Sequence, residues 1–369
     1  MSIDVVYDHQ VFSWQKFGGV SRYFVELIKH LPDDVHARID PLLSENAYLS
    51  DIKDVAQDVS SWDFANFRVR KHLYEWINRR NSSNTLRRGG YDVVHPTYYD
   101  PYFLSRRKSP AVVTVHDFIH ERFPQYFGDA AKVIERKRRT IHEADAIIAI
   151  SEHTKKDLME IYALPSERIS VIYHGASALV APEKVEGLPQ RYLLFVGERR
   201  SYKNFHRFAR AFALLSAKDP DLWLVCAGKP FSPEETAYLR KLGLEKRSRA
   251  LFATDGQLTY LYRNARCFVY PSIYEGFGLP ILEAWGTGCP IALSDASCFP
   301  EIAADGAEYF DPLSYQSIAD AIGRVVYDDA HRADLQERAR KLLPAFTWSR
   351  TAERTADLYR SLAAQNRHL

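Results

Sequence analysis

The chain has 369 residues, enough for two domains of about 180 residues each. Its 46% hydrophobic and 26% charged composition is that of a soluble globular protein, and 49 Lys and Arg against 47 Asp and Glu exclude the basic bias of a dedicated nucleic-acid binder. No apolar run approaches the ~18 residues of a membrane span, and the first residues read as a strand rather than a signal peptide. The expected location is the cytoplasm, with any membrane contact peripheral.

In chain order, a strand is predicted over 3–7. Val20, Tyr23, Phe24, Leu27, Ile28 and Leu31 then recur at helical spacing. Further strands are predicted over 92–95, 111–115, 146–150 and 169–173, with helices over 132–139 and 152–161. The pattern breaks around 181–191, where Pro182, Gly187 and Pro189 read as a linker. It restarts with strands over 192–196, 222–227, 250–253, 267–270 and 290–293, and from 313 onward the tail is helical, broken at 344–348. This alternation of strand and helix predicts α/β architecture, two doubly wound Rossmann-like parallel-sheet domains. Their expected extents are 1–185 and 186–350, with a last helix over 351–369 returning to the first domain. Such a pair implies a cleft lined by strand C-terminal ends and helix N-termini. The four cysteines (Cys226, Cys267, Cys289, Cys298) lack Cys-x-x-Cys spacing and read as buried free thiols.

The most informative segment is 272–284. An apolar strand leads into a loop bearing Glu275, Gly276, Phe277 and Gly278, and Pro280 sits where a helix should begin. Glu283 lies about one turn into that helix, with seven residues separating it from Glu275. The glycines admit close approach of backbone N–H groups, and a helix start favours an anion. A molecule carrying both phosphates and hydroxyls, such as a nucleotide sugar, suits that pattern.

This segment resembles the signature of the family 4 glycosyltransferases, which have the GT-B architecture. The resemblance extends in order over Gly18-Gly19, Val115-His116-Asp117, Ile150-Ser151-Glu152, Tyr173-His174-Gly175, Val196-Gly197, Lys203-Asn204, Ala227-Gly228 and Pro271-Ser272. It implies that Glu283 binds the ribose hydroxyls and Glu275 the donor-sugar hydroxyls. Gly276, Phe277, Gly278 and Leu279 then border sugar and phosphate. Lys203, in the loop opened by Gly197, matches the family's phosphate-binding lysine. Many members carry Arg directly after that glycine, whereas here the position is Glu198. Arg199 is therefore the expected second cation by proximity, with Arg200 the fallback. The resemblance also puts Gly19 near the donor phosphate and His116 against the donor sugar or the transferring oxygen. Asp117 either orients that imidazole or caps the next turn, and His174 departs from the Asn common before this glycine.

Three further readings concern partners. Tyr98 and Tyr99, with Tyr102 and Phe103, are aromatic candidates for the acceptor side, or ordinary loop packing. The basic, aromatic segment 64–88 reads either as an amphipathic helix for anionic lipid or as a surface helix on the first sheet. No His/Cys cluster or Asp-x-Asp has metal-ligand spacing, so no metal or other cofactor is expected. Taken together, the resemblance implies a retaining hexosyltransferase. It would use a GDP-sugar such as GDP-mannose, and a glycan or lipid-linked glycan acceptor in polysaccharide or O-antigen synthesis. A UDP-sugar transferase, a nucleotide-sugar epimerase and a non-catalytic partner subunit are the alternatives.

Overall fold

The computed structural model describes residues 2–62, 66–199 and 201–367, with backbone alone at 67, 68, 201 and 367. The chain divides into two compact units, Met1–Gly175 with Thr347–Leu369, and Ala176–Phe346.

In the first unit the strands are β1 (Ile3–Tyr7), β2 (Val35–Ile39), β3 (Val93–His95), β4 (Val112–Val115), β5 (Ala146–Ala149) and β6 (Ile169–Val171). They form parallel sheets of order β2-β1-β3 and β4-β5-β6, connected by a parallel bridge between Val94 and Ala111. Every residue of β3, β4 and β5 is buried, as befits strands covered on both faces. The helix Gly19–Lys29 lays Tyr23, Phe24, Leu27 and Ile28 into the same core. The last helix, Trp348–Arg367, also belongs to this unit. Its buried Tyr359 hydroxyl meets Tyr7 Oη at 2.9 Å and His95 Nδ1 at 2.6 Å, so the chain's end completes the core under β1 and β3.

The second unit contains β7 (Arg191–Val196), β8 (Leu222–Ala227), β9 (Ser248–Leu251), β10 (Cys267–Tyr270), β11 (Ile291–Ser294) and β12 (Glu308–Phe310). All six are parallel, in the order β12-β11-β10-β7-β8-β9. The helix Phe205–Ser216 buries Phe205, Phe208, Phe212 and Leu215 against this sheet and against Ile318 and Ile322 of the helix Tyr315–Tyr327. The four cysteines are buried thiols, and burial pushes that of Cys267 up to about 12.

In each unit, chain order along the sheet reverses beside the first strand. That occurs between β1 and β3 in the first unit and between β7 and β10 in the second. Loops leaving the C-terminal ends of such neighbouring strands diverge to opposite faces and leave a crevice where ligands bind.

Several expectations need correcting. The Pro- and Gly-rich stretch 181–191 is fastened to the second unit rather than forming the linker. Glu183 N donates to Gly256 O at 3.0 Å, and Arg249 Nη1 donates to Gly187 O at 2.7 Å. The unit changes at Gly175 instead, where a Cβ would lie 2.1 Å from Trp348 N, and changes back at Phe346 rather than 350. The strand placed at 250–253 runs Ser248–Leu251, and β2 and β12 went unread. The segment 64–88 is a helix from Phe67 to Arg88 without one apolar stripe. Tyr74 is fully buried while Trp76, on the opposite side, is 64% exposed. Residue 64 lies outside the described residues. Among the described residues, no helix is long and apolar enough to cross a membrane.

Candidate functional site

The second unit's site is built by the loops that leave β7 and β10. After β7, Gly197 turns with φ +109°. Its carbonyl comes so close to Gly228 that a Cβ there would lie 2.7 Å from Gly197 O, so the loops after β7 and β8 need a glycine at that contact. The chain continues to Lys203 and Asn204, and Asn204 takes φ +59° as it enters the helix Phe205–Ser216. Its amide donates to Pro312 O at 2.7 Å, so this Asn shapes the loop and steadies the lysine before it.

After β10, Ile273 N donates to Tyr202 O at 2.8 Å, tying the two loops together. This brings Lys203 Nζ to 2.6 Å from Glu275 Oε1, an ion pair of two mostly buried side chains at the reversal point. The Lys203 ammonium also lies 5.9 Å from the centre of the Tyr270 ring. Burial foremost, then the Glu275 carboxylate, hold the Tyr270 hydroxyl well above its ordinary pKa, so it stays protonated. Glu275's own backbone is clamped from a third loop. Its N–H donates to Ser297 Oγ at 3.1 Å, and Ser297 Oγ donates to its carbonyl at 2.5 Å. Ser297 adopts φ +57° after β11, and this clamp went unread in the sequence.

Phe277 is buried against Phe346, with ring centres 6.1 Å apart, and Gly276 lies buried beside it. Gly278 opens the helix Leu279–Gly286 in the left-handed region at φ +94°, with Pro280 in the first turn. Glu283 is half-buried on that helix and accepts a hydrogen bond from Tyr262 Oη at 3.2 Å. A helix start, a cation and two fixed carboxylates suit a ligand that is anionic at one end and hydroxylated elsewhere.

Arg199 is not part of this group. Its Nε and Nη2 meet Glu235 at 2.8 and 3.0 Å, and Nη2 also donates to Lys229 O and Pro230 O at 2.9 Å. The side chain is 4% exposed, and its guanidinium lies 4.8 Å from the Phe231 ring centre. Its Nη1 is buried with no hydrogen-bond partner among the described residues. Arg199 thus anchors the loop that carries Lys203, and its partner, 36 residues on, has no local signal near the arginine. Arg200 lies outside the described residues. Glu198 pairs with Lys229 at 2.8 Å.

In the first unit, His116 follows β4. Its backbone N–H donates to Tyr99 Oη at 3.1 Å, and its ring stacks on His174 at 6.2 Å. His116 Nε2 is buried without a hydrogen-bond partner among the described residues. Burial lowers the pKa of His116 to about 4, Asp117 partly opposing and Lys137 assisting, so the imidazole is neutral at pH 7. Asp117 caps the next turn by accepting the Ile119 amide at 3.0 Å, and its carbonyl accepts from the buried Lys137 ammonium. Tyr99 is buried, its hydroxyl on Thr114 O at 3.4 Å as well as under His116, so it positions the histidine's backbone. Tyr98 is partly exposed and meets Trp14 edge-to-face at 4.9 Å. Gly19 is the first residue of the helix Gly19–Lys29, where a Cβ would meet nothing within 4 Å. Gly18 beside it has no such room, since Gln15 Oε1 would lie 2.3 Å away.

Comparisons with known proteins bear on both units. Residues 17–178 match the family model described as Glycosyltransferase Family 4, and residues 183–342 match Glycosyl transferases group 1. The chain is 27% identical to O-antigen chain mannosyltransferase B of Escherichia coli over 93% of this chain and 96% of that one. It is 28% identical to O-antigen chain mannosyltransferase RfbU of Salmonella typhimurium, over 58% of this chain and 60% of that one. Among solved structures it is similar to Anabaena Alr3699/HepE, crystallised in complex with UDP and glucose. The TM-score is 0.74 at 18% identity, covering 98% of this chain and 100% of that one.

Proposed function

The chain belongs to the family 4 glycosyltransferases and has their GT-B fold, and on that premise we propose that it moves a mannosyl residue from GDP-mannose to a hydroxyl of a glycan or lipid-linked glycan, with retention of configuration. The observation that carries this reading is the Lys203–Glu275 pair beside the glycine-opened helix start, at the reversal point of the second sheet. Mannose is favoured by the two O-antigen mannosyltransferases that the chain resembles.

In this scheme the bond between the sugar's anomeric carbon and the diphosphate oxygen breaks, and the acceptor oxygen bonds to that carbon from the same face. The acceptor's proton passes to the departing phosphate oxygen. Lys203 stabilises the negative charge growing on that phosphate, aided by backbone N–H groups around Gly278. Glu275, held by Lys203, accepts hydroxyls of the sugar, and Glu283 accepts those of the ribose. A carboxylate neutralised by an ion pair at 2.6 Å is a weak nucleophile, which favours same-face transfer over a covalent sugar–enzyme intermediate. A lysine supplies the charge that a divalent ion supplies elsewhere, so activity is expected to survive EDTA. His116, neutral and with Nε2 unengaged, serves as hydrogen-bond partner of the transferring sugar or acceptor oxygen.

The decisive experiment incubates the protein with GDP-mannose, GDP-fucose, UDP-glucose and UDP-galactose, alone and with a mannose-terminated oligosaccharide. It follows nucleotide release and, by NMR, the anomeric configuration of the product. Selective thermal stabilisation by GDP and acceptor-dependent release from GDP-mannose are expected. Stabilisation by UDP alone would move the donor to the uridine class, and an inverted product would overturn retention.

A further inference from the structure

The first unit has its own reversal point, between β1 and β3, and the loops leaving those strands, with the helices Phe67–Arg88 and Ala130–Glu143, line an open-mouthed cavity of about 160 Å3. That is the volume of about five waters in the liquid, the scale of one sugar ring. The loops are fixed to each other. Asp8 Oδ1, just past β1, accepts from the Thr97 amide and hydroxyl, each at 2.8 Å. The Gln10 side chain accepts from Asp100 N at 2.7 Å and donates to Asp100 O at 3.3 Å. Partly exposed Trp14 and Tyr98 line the cavity together with Glu75, Asp100 and Arg136.

The telling residue is His9, which lines the cavity yet is only 2% exposed. Its Nε2 has no hydrogen-bond partner among the described residues. The proton on this ring can be assigned from its neighbours. Asn78 Oδ1 accepts the Leu42 and Leu43 amides, so its Nδ2 must be what donates to Ser13 Oγ at 2.9 Å. Ser13 sends its single hydroxyl hydrogen to His9 O at 2.9 Å. At the 3.0 Å contact between Ser13 Oγ and His9 Nδ1, the hydrogen therefore belongs to Nδ1. That leaves Nε2 with a bare, buried lone pair on a ring that lines the cavity. A buried acceptor without a donor is costly, and a hydroxyl from a ligand would satisfy it.

We propose that this cavity holds a neutral pyranose ring of the acceptor glycan, one of whose hydroxyls donates to His9 Nε2 while the ring rests on Trp14 and Tyr98. The inference rests on the glycosyltransferase reading above and adds that the acceptor is recognised by a sugar ring rather than by a phosphate. An anion is disfavoured because the lining includes two carboxylates, Glu75 and Asp100. The Asp100 carboxylate already engages Arg79 at 2.7 Å and lies 3.6 Å from Arg136. Carboxylates, a lone pair and aromatic faces together match a ligand that offers hydroxyl hydrogens and C–H faces. Tyr99, which lines the cavity and also holds the His116 amide, links this subsite to the histidine after β4.

The test titrates the full-length protein with methyl pyranosides of mannose, glucose, galactose and N-acetylglucosamine at millimolar concentration, read by ligand-observed NMR and tryptophan fluorescence. At least one glycoside should bind. Trp14→Ala should weaken it roughly tenfold and His9→Phe several-fold. His9→Phe keeps an aromatic ring in the core while removing the Nε2 lone pair and the Nδ1 contact with Ser13, so it stays informative if Trp14→Ala misfolds. No binding of any glycoside, binding indifferent to both changes, or displacement by inorganic phosphate would each overturn the proposal. Nucleotide binding is a separate measurement on the second unit. A chain that binds glycosides but no nucleotide keeps this pocket and loses the donor assignment.

Discussion

Both units are built on parallel strands whose chain order reverses beside the first strand, and they put different chemistry at that reversal point. In the second unit the loops after β7 and β10 bring together a cation, two carboxylates and a helix start. In the first unit the loops after β1, β3 and β4 bring together histidines kept neutral by burial, tyrosines and a tryptophan. A parallel α/β sheet decides where a ligand sits, and the side chains on its loops decide what the ligand can be. Fixed charge suits a diphosphate, whereas neutral rings and lone pairs suit hydroxyls.

The largest effect should come from removing the fixed charge. Lys203→Ala is expected to lower kcat/KM by roughly two to three orders of magnitude, as losing one preformed donor to a developing oxyanion does elsewhere. The loss should lie mainly in kcat, because the charge on the leaving phosphate peaks in the transition state. Initial rates at saturating donor will check it. A variant that keeps near-normal turnover would erase the contrast between the units.

Arg199 offers the second cut, since it separates a loop anchor from a phosphate ligand. Arg199→Met leaves Glu235 without its partner in a largely buried setting, and should cost about 3 kcal/mol of stability. Denaturant unfolding will show whether the second unit weakens before nucleotide affinity does. Full stability together with lost nucleotide binding would return Arg199 to the phosphate.

Acid should discriminate between the units next. Burial lowers His9 and His116 to about 4 and His95 to about 3, and holds His174 well below its ordinary value. The unfolded chain binds these protons near pH 6.5 and the folded chain does not. Their contribution is therefore complete above about pH 6.5 and is lost as pH falls towards 4. Asp40 works the other way, because burial raises its carboxyl from 3.8 to about 6 and its neutral form is the one the fold prefers. With four histidines against one carboxyl, the first unit should loosen by a few kcal/mol over that interval. Hydrogen exchange at pH 7 and pH 5 should show β1, β3 and β4 losing protection ahead of β7, β8 and β10. Equal loss in both units would break the comparison.

Much of the second unit's site could be read from its sequence because its signals are local. An apolar strand, two glycines and a proline stand within a dozen residues of Glu275 and Glu283. The Lys203 loop was likewise legible, a strand followed by Gly197 and a basic turn. What stayed hidden depends on partners distant in the chain. Ser297 reaches Glu275 from 22 residues away, and Glu235 reaches Arg199 from 36. The segment 181–191 has a linker's composition, yet hydrogen bonds from Arg249 and to Gly256 O hold it down. The pocket around His9 escaped because its helix, Gln10–Trp14, has only five residues, too few to show a period. The unpartnered nitrogen of His9 becomes visible only when the neighbouring donors are assigned in space.

The smallest effects should come from two glycines, one in each unit. Gly278 sits at φ +94°, and a Cβ there would lie 3.1 Å from both Ile281 Cδ1 and Phe299 Cε1. Gly278→Ala combines left-handed strain with a crowded ring, and should cost about 1–2 kcal/mol and weaken nucleotide binding. At Gly19 a Cβ meets nothing within 4 Å and φ lies outside the left-handed region, so Gly19→Ala should shift stability by no more than about 0.5 kcal/mol. That near-silence gives the variant its use. A fall in kcat/KM for Gly19→Ala at unchanged stability would have to arise from a methyl group meeting bound substrate. It would place the start of the first unit's helix against the donor, whereas unchanged kinetics would leave donor recognition to the charged loops of the second unit.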